Sequence, residues 1–262
     1  MKNKLLSAAA LITFLPIAAQ AHFLLPYADE TQISTPGDVP LAVVFWHPFE
    51  NGHVMEMEAP EAFYMIHNGE KTDLADRLEA ASFKGAENEN NGFRATLPVK
   101  RSGDYVVVTE PAPYFEESED KYIQQLTKVV FNRNELPTDW MNPVGLRTEI
   151  VPLVKPYNVI TGSSFTGQVL SEGKPAAGIE IEIEYVAATP DIQTFSASEP
   201  TVGTMPGGTV VAISDANGYF TFGVPKAGWW GFAALEAGPE TEHNGKPLSQ
   251  DAVFWIRAYN ME

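Results

Sequence analysis

Short apolar runs, broken at regular intervals by turn residues, constrain this chain more than any other feature. Residues 39–46, 62–67, 93–99 and 105–109 are each about the length of one strand. Thr35-Pro36-Gly37-Asp38 precedes the first, Asn68-Gly69 closes the second, and Arg101-Ser102-Gly103-Asp104 separates the last two. Runs this short between turn residues read as β-strands. Asn68-Gly69 supplies the two positive φ angles that a tight hairpin turn requires. After residues 141–156 the pattern restarts. Ile179, Ile181, Ile183 and Tyr185 alternate with Glu180, Glu182 and Glu184, which predicts an antiparallel strand with one apolar and one wet, acidic face. Ser214-Asp215-Ala216-Asn217-Gly218 turns the chain into residues 219–224, Gly228-Trp229-Trp230-Gly231 opens another strand, and Phe254-Trp255-Ile256 supplies a last one.

Two stretches depart from the strand pattern. Residues 116–125 predict a helix, because their acidic start suits the positive end of a helix dipole. Residues 187–208, rich in Pro, Gly, Ser and Thr, predict a long loop. The fold class expected is therefore all-β: two consecutive antiparallel β-sandwich domains, residues 22–145 and 146–262. The N-terminal domain carries four of the five histidines, and the C-terminal domain is expected to be structural.

Residues 1–21 read as a cleaved secretory signal. Lys2 and Lys4 form a basic start, residues 5–18 an apolar core, and Ala19-Gln20-Ala21 a cleavage site of small residues. The apolar stretch is short for a bilayer span, so a soluble, exported, periplasmic protein without a membrane anchor is expected. Cleavage after Ala21 would make His22 the first residue. Its free amine and its imidazole could then grip one metal ion together.

The chain has no cysteine, which removes disulfides, thiolate zinc sites and iron–sulfur clusters. Its formal charge of −17, more negative once Lys2 and Lys4 leave, disfavours nucleic acid and anionic lipid as partners and favours cations. Solubility alone would also explain such a charge.

Metal chemistry concentrates in residues 47–58, where His47 and His53, Met55 and Met57, and Glu50, Glu56 and Glu58 fall within one short loop after a strand. Imidazole suits nickel, cobalt, copper and zinc, and thioether suits Cu(I). A loop at the end of a sandwich can fold back on an N-terminal strand, so His22 and His47 could meet. The candidate ligands are His22, His47, His53 and Glu50. The structural alternatives are a strand-end role for His47, a solvated His53, a surface His67 before its turn, an exposed His243, and core positions for Met55 and Met57. No hydrolytic constellation stands out: Ser163 and Ser164 lack a nucleophile elbow, and residues 203–208 lack the lysine and helix of a phosphate loop. The chain is not expected to be an enzyme.

A set of motifs gives the chain a resemblance. His22-Phe23, His47-Pro48-Phe49-Glu50, Met57 and residues 68–74 are followed in order by residues 149–153, residues 165–170, Gly173-Lys174-Pro175 and Gly228-Trp229-Trp230. Together they resemble an exported family of unknown-function domains described as the periplasmic component of nickel/cobalt uptake systems. The C-terminal part is similar to transthyretin-like and carboxypeptidase-regulatory-like sandwiches. The resemblance implies capture of Ni²⁺ or Co²⁺ and delivery to an inner-membrane metal transporter, with His22 and His47 as ligands. The resemblance also implies a further histidine, present in many relatives just before the Thr127-Lys128 strand, where residues 122–128 here offer only Gln124 and Gln125. Three other readings stay open: a periplasmic copper carrier, an oxidative copper enzyme that attacks polysaccharide through an N-terminal histidine, and a structural two-domain β-protein.

Overall fold

The computed structural model describes residues 22–203 and 209–261, so the expected signal segment and residues 204–208 of the expected loop lie outside the described residues. The described chain is β-structure throughout, with a single 3-10 turn at Ala75–Arg77. The all-β sandwich class expected from the turn spacing is the one observed.

The framework is a twelve-stranded sheet. Its main path runs Val210–Ile213, Glu180–Tyr185, Gly228–Ala234, Lys246–Tyr259, Lys121–Arg133, Gly103–Glu110, Ala62–His67 and Glu70–Asp73. At its centre, Lys121–Arg133 pairs in parallel with Lys246–Tyr259, from Tyr122↔Leu248 to Val129↔Trp255. That pair joins strands from both halves of the sequence into one sheet. Alternation then sends successive side chains to opposite faces. Val129, Phe131, Val253 and Trp255 enter one apolar core, while Leu126, Val130, Phe254 and Ile256 enter a second.

A six-stranded sheet covers the first face. It contains Phe23–Tyr27, Gly37–Trp46, Glu89–Val99 and Glu79–Lys84. A four-stranded sheet built on Thr148–Pro152 and Ser164–Ser171 covers the second. Across it Lys128 and Glu149, both almost fully buried, pair at 2.5 Å. Burial lowers the Lys128 pKa and Glu149 opposes that shift.

The edge strand Phe23–Tyr27 is held from outside as well as inside. Its inner edge pairs with Gly37–Trp46. On its outer edge, the Leu24 N–H donates to Gln125 Oε1 at 2.8 Å, and the Leu24 carbonyl accepts from the Trp255 indole at 2.8 Å. Gln125 Nε2 also donates to the His22 carbonyl. Gly231 makes room for that indole: a Cβ there would stand 2.6 Å from the Trp255 ring.

Three local expectations change. Residues 116–125 are not helical: Tyr114–Glu116 pairs back onto Lys121–Ile123 as a hairpin. Glu116 accepts from the Ser118 N–H and hydroxyl, and Asp120 takes φ 53°, so the acidic residues close a turn instead of capping a helix. Within the expected loop, Pro190–Asp191 and Ser196–Ala197 pair, and the latter extends the six-stranded sheet beside Glu79–Lys84. Finally, the acidic face of Glu180–Tyr185 is only partly wet. Glu180 is exposed, but Glu182 retains 8% exposure because that face lies over the interior of the molecule.

Candidate metal centre

Strand register brings the first two candidate ligands together. Phe23 pairs with Trp46 and Leu24 with Phe45. Continued by one residue, the same register sets His22 opposite His47. Their rings lie 4.5 Å apart, and His22 also packs on Phe45. Gln125 holds the His22 backbone on the outer edge, so the imidazole is placed by a side chain of the central sheet.

His47 begins the loop that the Trp46↔Val54 bridge closes. The Gly52 N–H donates to the His47 carbonyl at 3.1 Å, and a Cβ at Gly52 would lie 3.2 Å from the His47 Cβ. Residues from the second half anchor this loop. Phe49 N–H donates to Glu184 Oε1, Ala188 N–H to the Pro48 carbonyl, and Asn51 Nδ2 to the Ser198 carbonyl.

A third group was missed in the sequence. Glu116 Oε2 lies 3.1 Å from His22 Nε2, with both side chains only 12% exposed. Burial lowers the His22 pKa and outweighs the opposing charges of Glu116 and Glu119. Burial alone would raise the Glu116 pKa, but the Ser118 hydrogen bonds and the charges of His22 and His53 more than offset it and hold the carboxyl below its ordinary value. Both shifts run toward the forms a metal ion requires, an imidazole without its extra proton and a carboxylate without its own.

The other sequence candidates occupy different places. His53 is exposed at the rim, close enough for its charge to act on both His22 and Glu116. Glu50 is exposed on the same loop, and its charge acts on Glu184. Met55 and Met57 are buried in the first core. His67 bonds the Asp104 carbonyl through Nδ1 and stacks on Tyr105, so its ring is engaged at the turn that follows Ala62–His67. His243 packs edge-on against Tyr122. Among the described residues, no three His, Asp or Glu side chains close into a ready chelate. A neutral nitrogen pair flanked by one carboxylate nevertheless suits a borderline divalent ion such as Ni²⁺, Co²⁺, Cu²⁺ or Zn²⁺.

Next to this centre His22 lines a cavity of about 450 Å³. Its walls bring together Glu180 and Glu182 from Glu180–Tyr185, Asp251 from Lys246–Tyr259, and Lys121 from Lys121–Arg133. Burial first, then the charges of Asp251 and Glu180, push the Glu182 pKa up to about 7. Burial likewise pushes Asp251 to about 6, against hydrogen bonds from Ser249 and the Glu236 N–H. Among the described residues, no helix is long and apolar enough to cross a membrane.

Comparison with known proteins adds a family but no activity. The D0-D1 domain of Intimin is 13% identical, with 88% of this chain and 96% of that chain covered, at a TM-score of 0.21. The fibronectin(III)-like modules of Clostridium thermocellum CbhA are 7% identical, with 91% and 95% covered, at a TM-score of 0.20. Similarity at that level carries no argument about this chain. No curated protein matches it significantly. Residues 19–238 match the family described as a domain of unknown function, DUF4198, and the chain belongs to that family.

Proposed function

We propose that this protein is an exported carrier of a divalent transition-metal ion, held between His22 and His47 with Glu116 as the neighbouring carboxylate. The observation that supports it is the pairing of two imidazoles at 4.5 Å with a carboxylate 3.1 Å from one of them. The nickel/cobalt resemblance makes Ni²⁺ or Co²⁺ the cargo and an inner-membrane transporter the recipient. The ion is carried, and no catalytic step is assigned. Burial of Met55 and Met57 takes away the thioether ligands that would have favoured Cu(I).

If processing exposes the His22 amine, that nitrogen becomes a further ligand. Its reference pKa of about 7.7–8.0 allows a metal to displace its proton near neutral pH. The test is calorimetric titration of protein beginning at His22 with Ni²⁺, Co²⁺, Cu²⁺ and Zn²⁺. His47→Ala and Glu116→Gln are expected to weaken binding by more than about tenfold, as loss of a ligand or its oriented neighbour does. An added initiator Met before His22 should also weaken it. Unchanged affinity in His47→Ala would overturn the reading. A tighter Cu²⁺ constant alone would not identify the cargo, because copper binds nitrogen sites most tightly in general.

A further inference from the structure

We propose that the cavity beside His22 binds a linear aliphatic di- or triamine, whose ammonium groups meet Glu182, Asp251 and Glu180. The first observation is Glu182 itself. Its side chain lines the cavity, the residue is 8% exposed, and its carboxylate has no hydrogen-bond or ion-pair partner among the described residues. With no group among the described residues bonded to it, the carboxyl is left facing the cavity, where a group of opposite charge would favour its ionised form.

The second observation is how the cavity treats the one ammonium it already contains. Lys121 pairs with Glu119 at 2.7 Å. Burial works to lower its pKa, yet Glu119, Asp251 and Glu236 together keep it above its ordinary value. An ammonium group is thus already accommodated among the carboxylates that line the cavity.

The third observation selects an organic cation over a bare ion. Glu180 and Glu182 follow one another along one strand and Asp251 lies on another, and among the described residues no three acidic or histidine side chains converge on one point. A single divalent ion would satisfy few of them. Several ammonium groups spaced along a chain would satisfy more, each making a charge-assisted hydrogen bond. Ile123, Ile179 and Leu235 supply apolar wall between the charges, where methylene groups can lie. A volume of about 450 Å³ is in the range of small-molecule sites.

The cavity shares His22 with the proposed metal centre but not His47, so a change at His47 tests the metal reading without altering the cavity wall. The test is calorimetric titration of metal-free protein with spermidine, and separately with Mg²⁺, at moderate salt. Spermidine is expected to bind with one-to-one stoichiometry. Glu182→Gln and Asp251→Asn should each weaken it by about tenfold or more, the loss of one charge-assisted contact. Glu70→Gln, on the exposed strand Glu70–Asp73, should leave it unchanged. His47→Ala should also leave spermidine binding intact while removing Ni²⁺ binding, so either proposal can fail without the other. Non-saturable binding, equal loss in Glu70→Gln, or a Glu182-dependent site that takes Mg²⁺ in preference to spermidine would each overturn the assignment.

Discussion

Glu182 shows how strongly position can change one side chain. Its neutral form is the one the fold favours, since burial and then the charges of Asp251 and Glu180 raise its pKa from 4.5 to about 7. A raised folded value means that its contribution to stability is complete below about pH 4.5. That contribution is lost as pH rises through about 7, when the buried carboxyl ionises. Glu182→Gln keeps a neutral isostere at every pH. Thermal melts without added amine should therefore show the variant more stable than the parent at pH 8, by on the order of 1–3 kcal/mol, with no advantage at pH 4. A less stable variant at pH 8 would mean that the carboxylate is held ionised. His22 and His47 could be singled out in the sequence because their residue type and flanking motifs carry the chemistry. Glu116 and Glu182 could not, because an acidic residue in a turn or on an alternating strand reads as solvated until its neighbours are known.

Elements position the candidate metal centre through contacts that periodicity does not encode. The hairpin at Asn68-Gly69 and the strands on either side were legible, and Asn68 and Gly69 adopt φ of 52° and 74° as that turn requires. The order of strands was not, because parallel pairing of Lys121–Arg133 with Lys246–Tyr259 joins segments more than a hundred residues apart. Gln125 is the clearest case. In the sequence it marked a missing histidine, whereas in the fold it ties the edge strand to the central sheet through Leu24 and His22. Gln125→Ala would leave the buried Leu24 N–H without its acceptor, at a cost of about 1–3 kcal/mol. It should also speed hydrogen exchange at Leu24 and weaken metal binding, although residue 125 is not itself a ligand. Unchanged exchange at Leu24 would show that the Trp255 indole and the pairing with Gly37–Trp46 hold the strand without it.

At the scale of the whole molecule, both cores depend on one sheet. The division read from the sequence, after residue 145, falls between Lys121–Arg133 and its parallel partner Lys246–Tyr259. A piece ending there would expose Val129 and Phe131 on one face and Leu126 and Val130 on the other along an unpaired edge. It would also lose the Trp255 indole from Leu24, and the loop after His47 would lose Glu184, Ala188 and Ser198. The complementary piece would keep Trp255 but not the Phe23 ring, 5.5 Å away, that packs against it. Residues 22–145 and 146–262 made separately are therefore expected to show poorly dispersed NMR spectra and to bind a hydrophobic dye. The intact protein should unfold in one transition, with matching calorimetric and van't Hoff enthalpies. Ni²⁺ should shift that whole transition upward, because a ligand that binds only the folded state stabilises everything that unfolds with its site. Two resolved transitions, with only one of them moved by Ni²⁺, would show that the halves fold independently and that the shared sheet does not couple them.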